Sequence, residues 1–364
     1  MDGIYIHIPF CASKCPYCDF YSLVSDEYLR EQYKNKLIKA IESCPFSLDA
    51  DTVYFGGGTP NLMGEKFLLE ILDSVRNKFN IATDSEITLE ANPSFRDLKM
   101  FKNLKKGGFT RISFGVQSSY DETLKLLGRR HSYQEAVNAI YCAQKAGFEH
   151  ISADLMMSVP SQTKENLKKD IENFSKLPID HISSYLLKLE PGTLFYAKYP
   201  DPDEDFAADC YLLAIEELEK RGFHQYEISN FAKDDKSVSR HNLKYWILDD
   251  YLGIGPSAHS LINGKRFYFD RDLKGFLSRD NVWEHTEFES LGNTEQEKIM
   301  LGLRLTKGLD LDSLKKDTAK LYKECKNFEK MNMGKFKGSN FSLTPQGFLL
   351  SNCIIEKCIE SYEE

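Results

Sequence analysis

The sequence predicts an α/β fold: a partial (β/α)6 barrel of the TIM type, followed by a smaller α+β C-terminal domain. In the first part of the chain, a short apolar segment, a polar or glycine-containing loop and an amphipathic helix recur six times. After residue 200 this pattern changes. Regular alternation of strand and helix indicates a parallel sheet with helices outside it. Six units suit a partial barrel better than a closed eight-stranded one.

The boundaries of the predicted elements follow from the spacing of apolar residues. Strands are predicted at residues 4–8, 52–55, 86–90, 111–116, 150–155 and 181–187. Helices, in which apolar residues recur at intervals of three and four, are predicted at 27–41, 65–78, 133–146 and 164–176. The Asp- and Pro-rich residues 200–205 are predicted to link the barrel to a long helix at 206–221. We assign residues 1–230 to the barrel and 231–364 to the second domain.

Length and composition exclude several classes of protein. With 364 residues, 41% of them hydrophobic, the chain is long enough for one large domain and a smaller one. It has no run of about 18 apolar residues and no charged-then-apolar signal pattern at its start. We therefore expect a cytoplasmic protein. A net charge of −8 without a dense Lys/Arg stripe argues against nucleic acid as the main partner.

The predicted strand ends carry the residues that are able to do chemistry. In parallel strand–helix proteins the site lies where the strands end and the loops begin, because side chains from several strands meet there. The six predicted ends carry a cysteine-containing loop, a glycine-rich loop at 56–60, and then Glu90, Asn92, Gln117, Asp154, Tyr185 and Lys188. This convergence predicts one shared site.

The cysteine-containing loop predicts an iron-sulfur cluster. Cys11, Cys15 and Cys18 form a CxxxCxxC pattern directly after the first predicted strand. Three thiolates on a tight loop can hold a four-iron, four-sulfur cluster and leave one iron open to a further ligand. The alternatives are a zinc site, which needs a fourth ligand, and three incidental free thiols. The other six cysteines are assigned no ligand role.

The pattern CxxxCxYC after an N-terminal strand resembles the signature of the radical S-adenosylmethionine superfamily. The resemblance implies a four-iron, four-sulfur cluster and S-adenosylmethionine as cofactors. It implies that Gly57, Gly58 and Thr59 contact the methionine end of that cofactor, where glycine lets the backbone approach a ligand closely; the alternative is that the glycines only form a tight turn. It also implies that the remaining cofactor contacts come from Tyr5, Tyr17, Glu90, Gln117, Arg129 and Asp154.

Longer strings resemble the oxygen-independent coproporphyrinogen III oxidase group of that superfamily. They lie at residues 7–10, 54–60, 111–117, 226–231 and 251–259. Two departures separate this chain from the oxidases: it starts at the first strand, and Phe20 stands where they have a fourth cysteine. Both features resemble the heme chaperones related to these oxidases.

A second motif also resembles those heme chaperones. The sequence RHNLKYW at 240–246 matches an HNxxYW motif associated with heme binding in those chaperones, which implies a heme site at His241, Asn242, Tyr245 and Trp246. Imidazole suits heme iron, and planar aromatic rings can cover a porphyrin. The alternative is a His241 hydrogen-bonded to the backbone, with Tyr245 and Trp246 in the core. His7 and His259 are alternative ligands.

The resulting hypothesis is a heme-binding chaperone that delivers heme to acceptor hemoproteins. An electron donor for the cluster is expected, and peripheral association with membrane proteins is allowed. The alternative is an enzyme that oxidatively decarboxylates coproporphyrinogen III to protoporphyrinogen IX, with the cofactor supplying the radical chemistry. A purely structural or regulatory module fits poorly, because so many residues match a cofactor site.

Overall fold

Six parallel strands form the centre of the structure, a computed structural model that describes residues 1–199 and 202–363. In this part of the fold the strands are β1 (Asp2–Ile8), β2 (Phe10–Cys11), β3 (Leu23–Val24), β4 (Asp49–Gly57), β5 (Asn80–Ala91), β6 (Arg111–Gln117), β7 (His150–Met157) and β8 (His181–Leu186). The order β1-β4-β5-β6-β7-β8 is parallel throughout. The short strands β2 and β3 pair only with each other, beside the cysteines.

Helices connect the successive strands of this sheet. They are α1 (Glu27–Glu42), α2 (Gly64–Lys78), α3 (Leu98–Lys106), α4 (Asp121–Leu126), α5 (Tyr133–Ala146), α6 (Lys164–Ser175), α7 (Leu194–Lys198) and α8 (Glu204–Glu219), with a 3-10 turn at Pro60–Met63. Local sequence signals fix their ends. A capping box between Ser132 and Glu135 starts α5, and Gly147, with φ 98°, ends it in the left-handed region.

The chain then extends the same sheet on both edges. The next elements are β9 (His224–Gln225), β10 (Asn230–Ala232), α9 (Arg240–Ile247), β11 (Tyr251–Ile254), β12 (His259–Ile262), β13 (Lys265–Phe269), α10 (Leu273–Ser278), a 3-10 turn at Val282–His285, and β14 (Thr286–Leu291). β10 and β9 continue the sheet beyond β8, and β11 pairs in parallel with β1. The strands β12 to β14 follow as an antiparallel meander, which completes a twelve-stranded sheet.

A small α+β unit follows the sheet. It comprises α11 (Glu295–Gly302), β15 (Leu309–Asp310), a 3-10 turn at Leu311–Ser313, α12 (Ala319–Lys330), β16 (Gly334–Lys337), β17 (Asn340–Leu343), α13 (Pro345–Leu349) and α14 (Ser351–Glu363). β15, β17 and β16 form its own three-stranded sheet. Within the described residues, no helix is long and apolar enough to span a bilayer.

The predicted fold class is confirmed. All six predicted barrel strands are present, and the helix predicted at 133–146 is exact. The long helix predicted at 206–221 begins two residues earlier, at Glu204, because Asp203 caps it and its first turn is acidic. Of the predicted linker, residues 200 and 201 lie outside the described residues.

The predicted domain boundary at 230/231 falls within β10, where the large sheet is continuous. Strand β11 lies beyond that boundary and yet pairs with β1, with Gly3 opposite Tyr251. This pairing joins residues almost 250 positions apart in sequence, so local periodicity carries no sign of it. The division into residues 1–230 and 231–364 remains a prediction.

Candidate functional site

A cavity of about 730 Å³ lies at the carboxyl ends of the barrel strands. It is lined by eleven of the predicted cluster and cofactor residues, which come from β2 and the loop after it, from β4 and its following loop, from β5, β6 and β7, and from the loop after α4: Cys11, Cys15, Tyr17, Cys18, Gly57, Gly58, Thr59, Glu90, Gln117, Arg129 and Asp154. We call it the cysteine cavity. Residues far apart in the sequence therefore meet in one site, as expected at the carboxyl edge of a parallel sheet.

The three thiols are held on one side of the cysteine cavity. The backbone N–H of Cys18 donates to the carbonyl of Cys15 at 3.1 Å, which tightens the loop. Two donors approach the sulfurs: the Thr59 hydroxyl lies 3.6 Å from Cys11 Sγ, and an Arg129 nitrogen lies 3.8 Å from Cys15 Sγ. Burial raises the pKa of the Cys18 thiol above its ordinary value.

This arrangement fits a cubane cluster. Among the described residues, no three His, Cys, Asp or Glu side chains converge closely enough to share a single metal ion. A four-iron cluster has a different requirement, because each thiolate binds a different iron at a corner of the cube. All three thiols are free and partly exposed to the same cavity. The Arg129 guanidinium lies beside Cys15 Sγ, where its charge complements a negatively charged cluster.

Glu90 is a buried carboxyl group on the wall of the cysteine cavity. It accepts a 2.8 Å hydrogen bond from the Tyr54 hydroxyl and a 3.0 Å bond from the backbone N–H of Gly57. Burial raises its pKa to about 7, the bond from Tyr54 opposes that rise, and the charge of Asp154 adds to it. Glu90 thus has two donors from the protein and is held close to the glycine loop.

Asp154 occupies the facing position on β7. Its carboxylate accepts a 3.2 Å hydrogen bond from Ser113 on β6. Burial raises its pKa to about 6, while Ser113 and the charge of Arg129 lower it. Two desolvated carboxyl groups in one cavity attract a polar or cationic ligand, because each is short of the solvation that water would give.

Arg129 and Gln117 present polar atoms without protein partners. One Arg129 nitrogen donates to the Gly115 carbonyl at 2.6 Å, but its Nε is buried without a partner, as is Gln117 Oε1. The backbone of Gln117 has φ 76°, and the register between β6 and β7 shifts there. Strained backbone and unsatisfied buried polar atoms together are typical of a ligand site.

The glycines of the loop after β4 are required by the protein itself. A Cβ on Gly58 would lie 2.6 Å from the carbonyl oxygen of Phe10, and one on Gly57 would lie 2.6 Å from the His7 ring. Gly57 also has φ 110°, which disfavours any side chain. The sequence suggested ligand approach, or else a tight turn, as the reason for these glycines; close packing against His7 and Phe10 is a further cause.

Tyr5 lies outside the cysteine cavity, in a smaller neighbouring one of about 300 Å³. This side cavity is lined by residues of β1, β4, β5, the cysteine loop, α9, and the strands added beyond β1 with their loops: Tyr5, His7, Phe20, Tyr21, Gly57, Glu90, Tyr245, Tyr251, Ser257, His259 and Arg271. Phe20, Gly57 and Glu90 line both cavities. Tyr5 therefore stands at the boundary between them rather than inside the predicted cofactor site.

His241 has no ring nitrogen available in this structure. It is 1% exposed, and its Nδ1 and Nε2 lie 2.8 Å from the Thr52 hydroxyl and 2.9 Å from the Tyr245 hydroxyl. Its ring stacks on Tyr54 at 5.0 Å, and burial lowers its pKa to about 3. The hydrogen-bonded alternative thus describes the geometry, except that side chains replace the backbone as partners.

The other three residues of the HNxxYW motif lie in three different surroundings. Tyr245 faces the side cavity, Asn242 lines a narrow space inside the barrel, and Trp246 is partly buried on α9. The stretch does not form one surface next to the cysteines. As a heme site it remains a prediction, and it requires the ring of His241 to leave its present partners.

Sequence reasoning assigned no individual role to two residues that hold the site together. Tyr54 bonds Glu90, and Ser113 bonds Asp154. Both lie on barrel strands at positions whose side chains point inward. A signal was present, since Tyr54 is two residues before Gly56 and Ser113 four before Gln117, and strand side chains alternate with period two.

Comparisons with known proteins identify the family of this chain. The family model of the radical SAM superfamily matches residues 5–174, and that of the HemN C-terminal domain matches residues 296–350. The heme chaperone HemW of Bacillus subtilis (strain 168) is 37% identical over 329 residues, 85% of each chain. The heme chaperone HemW of Lactococcus lactis (strain IL1403) is 32% identical over 98% of this chain and 97% of its own. The chain belongs to the HemW family.

The HemW family assignment agrees with the fold. The coproporphyrinogen III oxidase HemN of Escherichia coli superimposes on 99% of this chain and 90% of its own with a TM-score of 0.82. Its sequence identity is 22%, so that likeness shows the architecture alone. The predicted membership of the radical S-adenosylmethionine superfamily is confirmed, and with it a four-iron, four-sulfur cluster and S-adenosylmethionine are implied.

Proposed function

We propose that this protein is a heme chaperone, which binds heme and passes it to acceptor hemoproteins. The observation that carries the proposal is similarity over almost the full length to proteins of that name, at 32% identity across 98% of the chain. A heme-delivering protein needs a partner that accepts the heme and, if its cluster is reduced, an electron donor. We place it in the cytoplasm, where thiols stay reduced, as cluster thiolates require.

We propose Cys11, Cys15 and Cys18 as the ligands of the four-iron, four-sulfur cluster. The three free thiols line one cavity, and Arg129 and Thr59 place donors near two of the sulfurs. When bound, such a cluster supplies an electron to a sulfonium ligand at its open iron. The protein supplies the loop geometry and the Arg129 guanidinium beside Cys15 Sγ.

The rest of the cysteine cavity is proposed to hold S-adenosylmethionine. Gly57, Gly58 and Thr59 form its floor beside the cysteines, and Tyr17 lies against Arg129 and the thiols. Glu90 and Asp154 provide acceptors for hydroxyl and amino groups, and Gln117 and Arg129 provide the unpartnered polar atoms. Tyr5 acts from the boundary, through its position next to Glu90 and His7.

One preparation tests the chaperone against the enzyme. The full-length protein, reconstituted and reduced under anaerobic conditions, is incubated with ferric heme in one reaction and with coproporphyrinogen III plus S-adenosylmethionine in another. We expect stoichiometric heme binding and no protoporphyrinogen. Conversion of coproporphyrinogen III without heme binding would replace the chaperone by the decarboxylating enzyme.

Phe20 is the structural reason for preferring the chaperone. It stands where the oxidases have a fourth cysteine, and its side chain is 69% exposed at the point where the two cavities meet. An exposed aromatic ring next to a cofactor cavity is suited to contact a large planar ligand. A cysteine there would be a reactive thiol instead.

A further inference from the structure

The side cavity has the composition of a porphyrin site. Five aromatic side chains line it, from four separate parts of the chain: Tyr5, Phe20, Tyr21, Tyr245 and Tyr251. Apolar and aromatic walls with a few polar groups are typical of cofactor pockets of several hundred Å³. Phe20, on the wall of the side cavity, is 69% exposed, so a ligand larger than 300 Å³ can extend outward over this ring.

His259 is a histidine in this cavity with one ring nitrogen left over. It is the first residue of β12, and its side chain is 52% exposed. Its Nδ1 lies 3.3 Å from a Glu289 carboxylate oxygen, and its ring stacks on Tyr268 at 5.1 Å. Within the described part of the chain, its Nε2 has no hydrogen-bond partner. A carboxylate that accepts from Nδ1–H fixes the tautomer in which Nε2 is free to bind a metal.

The other seven histidines are less suited to bind iron here. His224 and His285 are exposed but do not line the side cavity. Both ring nitrogens are engaged in three of them: His7, His181 and His241. His131 is 3% exposed. His150 begins β7 at the amino end of the barrel, opposite the cysteines, where it pairs with Asp180. His259 combines exposure, an oriented ring and a position on the wall of a cavity.

Arg271 supplies the complementary charge. It also lines the side cavity, its side chain is 61% exposed, and its ion pair with Asp19 is long, at 3.8 Å. A long ion pair between exposed groups contributes little, so the guanidinium is free to exchange Asp19 for a ligand carboxylate. The two propionates of a heme are carboxylates of the kind that arginine binds through paired hydrogen bonds.

We infer that the side cavity is the heme site, with His259 Nε2 as the axial ligand of the iron and Arg271 paired with a propionate. This inference rests on the proposed function, and it gives that function a location next to the cysteine cavity. Tyr245 lies in the wall of the same cavity, so the HNxxYW stretch contributes this ring to the porphyrin site. His241 orients Tyr245 through their 2.9 Å hydrogen bond.

The test is a ferric heme titration of the full-length, reconstituted protein, followed by the Soret band. We expect His259→Ala to weaken heme binding by more than about 10-fold and to change the ligand-field bands, and Glu289→Gln to weaken it by about 10-fold. Added imidazole should restore the His259→Ala spectrum. The control is His224→Ala, an exposed histidine that also pairs with a carboxylate, Glu219, and does not line the side cavity.

Arg271→Ala tests the propionate contact separately. It should weaken heme binding but leave binding of heme dimethyl ester unchanged, because the ester lacks carboxylates. Wild-type affinity and an unchanged spectrum in His259→Ala would overturn the inference while leaving the chaperone proposal in place. Failure of the wild-type protein to bind heme at all would instead overturn the chaperone proposal, so the two failures are distinguishable.

Discussion

The hydroxyl of Tyr54 donates a 2.8 Å hydrogen bond to Glu90, and this pair joins the barrel interior to the glycine loop. The other oxygen of Glu90 accepts from the backbone N–H of Gly57. Even with both donors, burial raises the pKa of Glu90 from an ordinary 4.5 to about 7. Ionised Glu90 therefore lowers the free energy of unfolding of the ligand-free protein.

The raised pKa of Glu90 makes the stability of the cluster-free protein depend on pH. Between pH 4.5 and about 7 folded Glu90 keeps a proton that the unfolded chain has released, so its contribution to stability is lost as pH rises. Glu90→Gln should therefore stabilise the cluster-free protein at pH 8, by up to about 3 kcal/mol, and the gain should vanish near pH 5. Urea unfolding at several pH values measures this.

Glu135→Gln is the matched control for that measurement. A backbone hydrogen bond from Ser132 lowers the pKa of Glu135, whose side chain is half-buried and pairs with Arg96. Its replacement should destabilise the protein at neutral pH, opposite in sign to Glu90→Gln. A pH-independent effect of Glu90→Gln would show that Glu90 is ionised in the folded protein as freely as in the unfolded chain.

Arg129 should contribute to the affinity for S-adenosylmethionine through the several N–H donors of its guanidinium group. Arg129→Lys keeps the charge but loses the bond to the Gly115 carbonyl and the unpartnered Nε. We expect S-adenosylmethionine affinity to fall about 10-fold or more, with iron content unchanged. Equilibrium binding to the reconstituted protein measures it. The control is Arg76→Lys, at an exposed arginine that also donates to a backbone carbonyl, that of Gly107, and does not line the cysteine cavity. Equal affinities in the two variants would remove Arg129 from the cofactor site.

His241 should act as a structural residue. Its ring fills a buried position on Tyr54 and makes two hydrogen bonds, so His241→Ala should cost about 2–4 kcal/mol at pH 7. Burial lowers its pKa to about 3, so below pH 6.5 the unfolded chain takes up a proton that the folded one does not. The wild type then loses stability as pH falls, and the cost of the variant should shrink by about 2 kcal/mol at pH 5.

Thermal or urea unfolding at the two pH values checks the His241 prediction. His285→Ala, which replaces an exposed histidine, should change stability by less than about 0.5 kcal/mol at either pH. A cost for His241→Ala that stays constant from pH 7 to pH 5 would contradict the buried neutral ring.

The cysteines should divide into ligands and non-ligands. Cys15→Ala should abolish most bound iron after anaerobic reconstitution, since a cluster with two protein thiolates is poorly held. Cys353→Ala, at an exposed cysteine of α14, should retain wild-type iron content. Iron and sulfide analysis of both variants checks this. Equal iron contents in the two would exclude Cys15 as a ligand.

Local sequence patterns predicted much of this structure. The strands and helices of the barrel carry clear periodicity, and strand ends are recognisable as the places where Glu90, Gln117 and Asp154 follow apolar runs. Because carboxyl ends of parallel strands meet at one edge, those residues could be placed together without coordinates. The cysteine spacing is local as well, which is why the loop was the strongest signal.

Contacts that depend on distant pairing could not be predicted. The parallel pairing of β11 with β1 brings His259 to the side of Tyr5 and creates the side cavity. The sequence of neither strand indicates which strand it pairs with. The burial of His241 is also a tertiary effect: the motif shows a histidine four residues before a tyrosine, but Thr52, which occupies its other nitrogen, is 189 residues away.

The central claim is that the cysteine cavity holds both a cluster on three thiolates and S-adenosylmethionine at its open iron. Electron paramagnetic resonance of the reconstituted, reduced protein, recorded with and without S-adenosylmethionine, tests it most directly. We predict a reduced four-iron, four-sulfur signal whose g values shift when the cofactor is added. A protein that stays iron-free, or a signal that the cofactor leaves unchanged, would contradict the account.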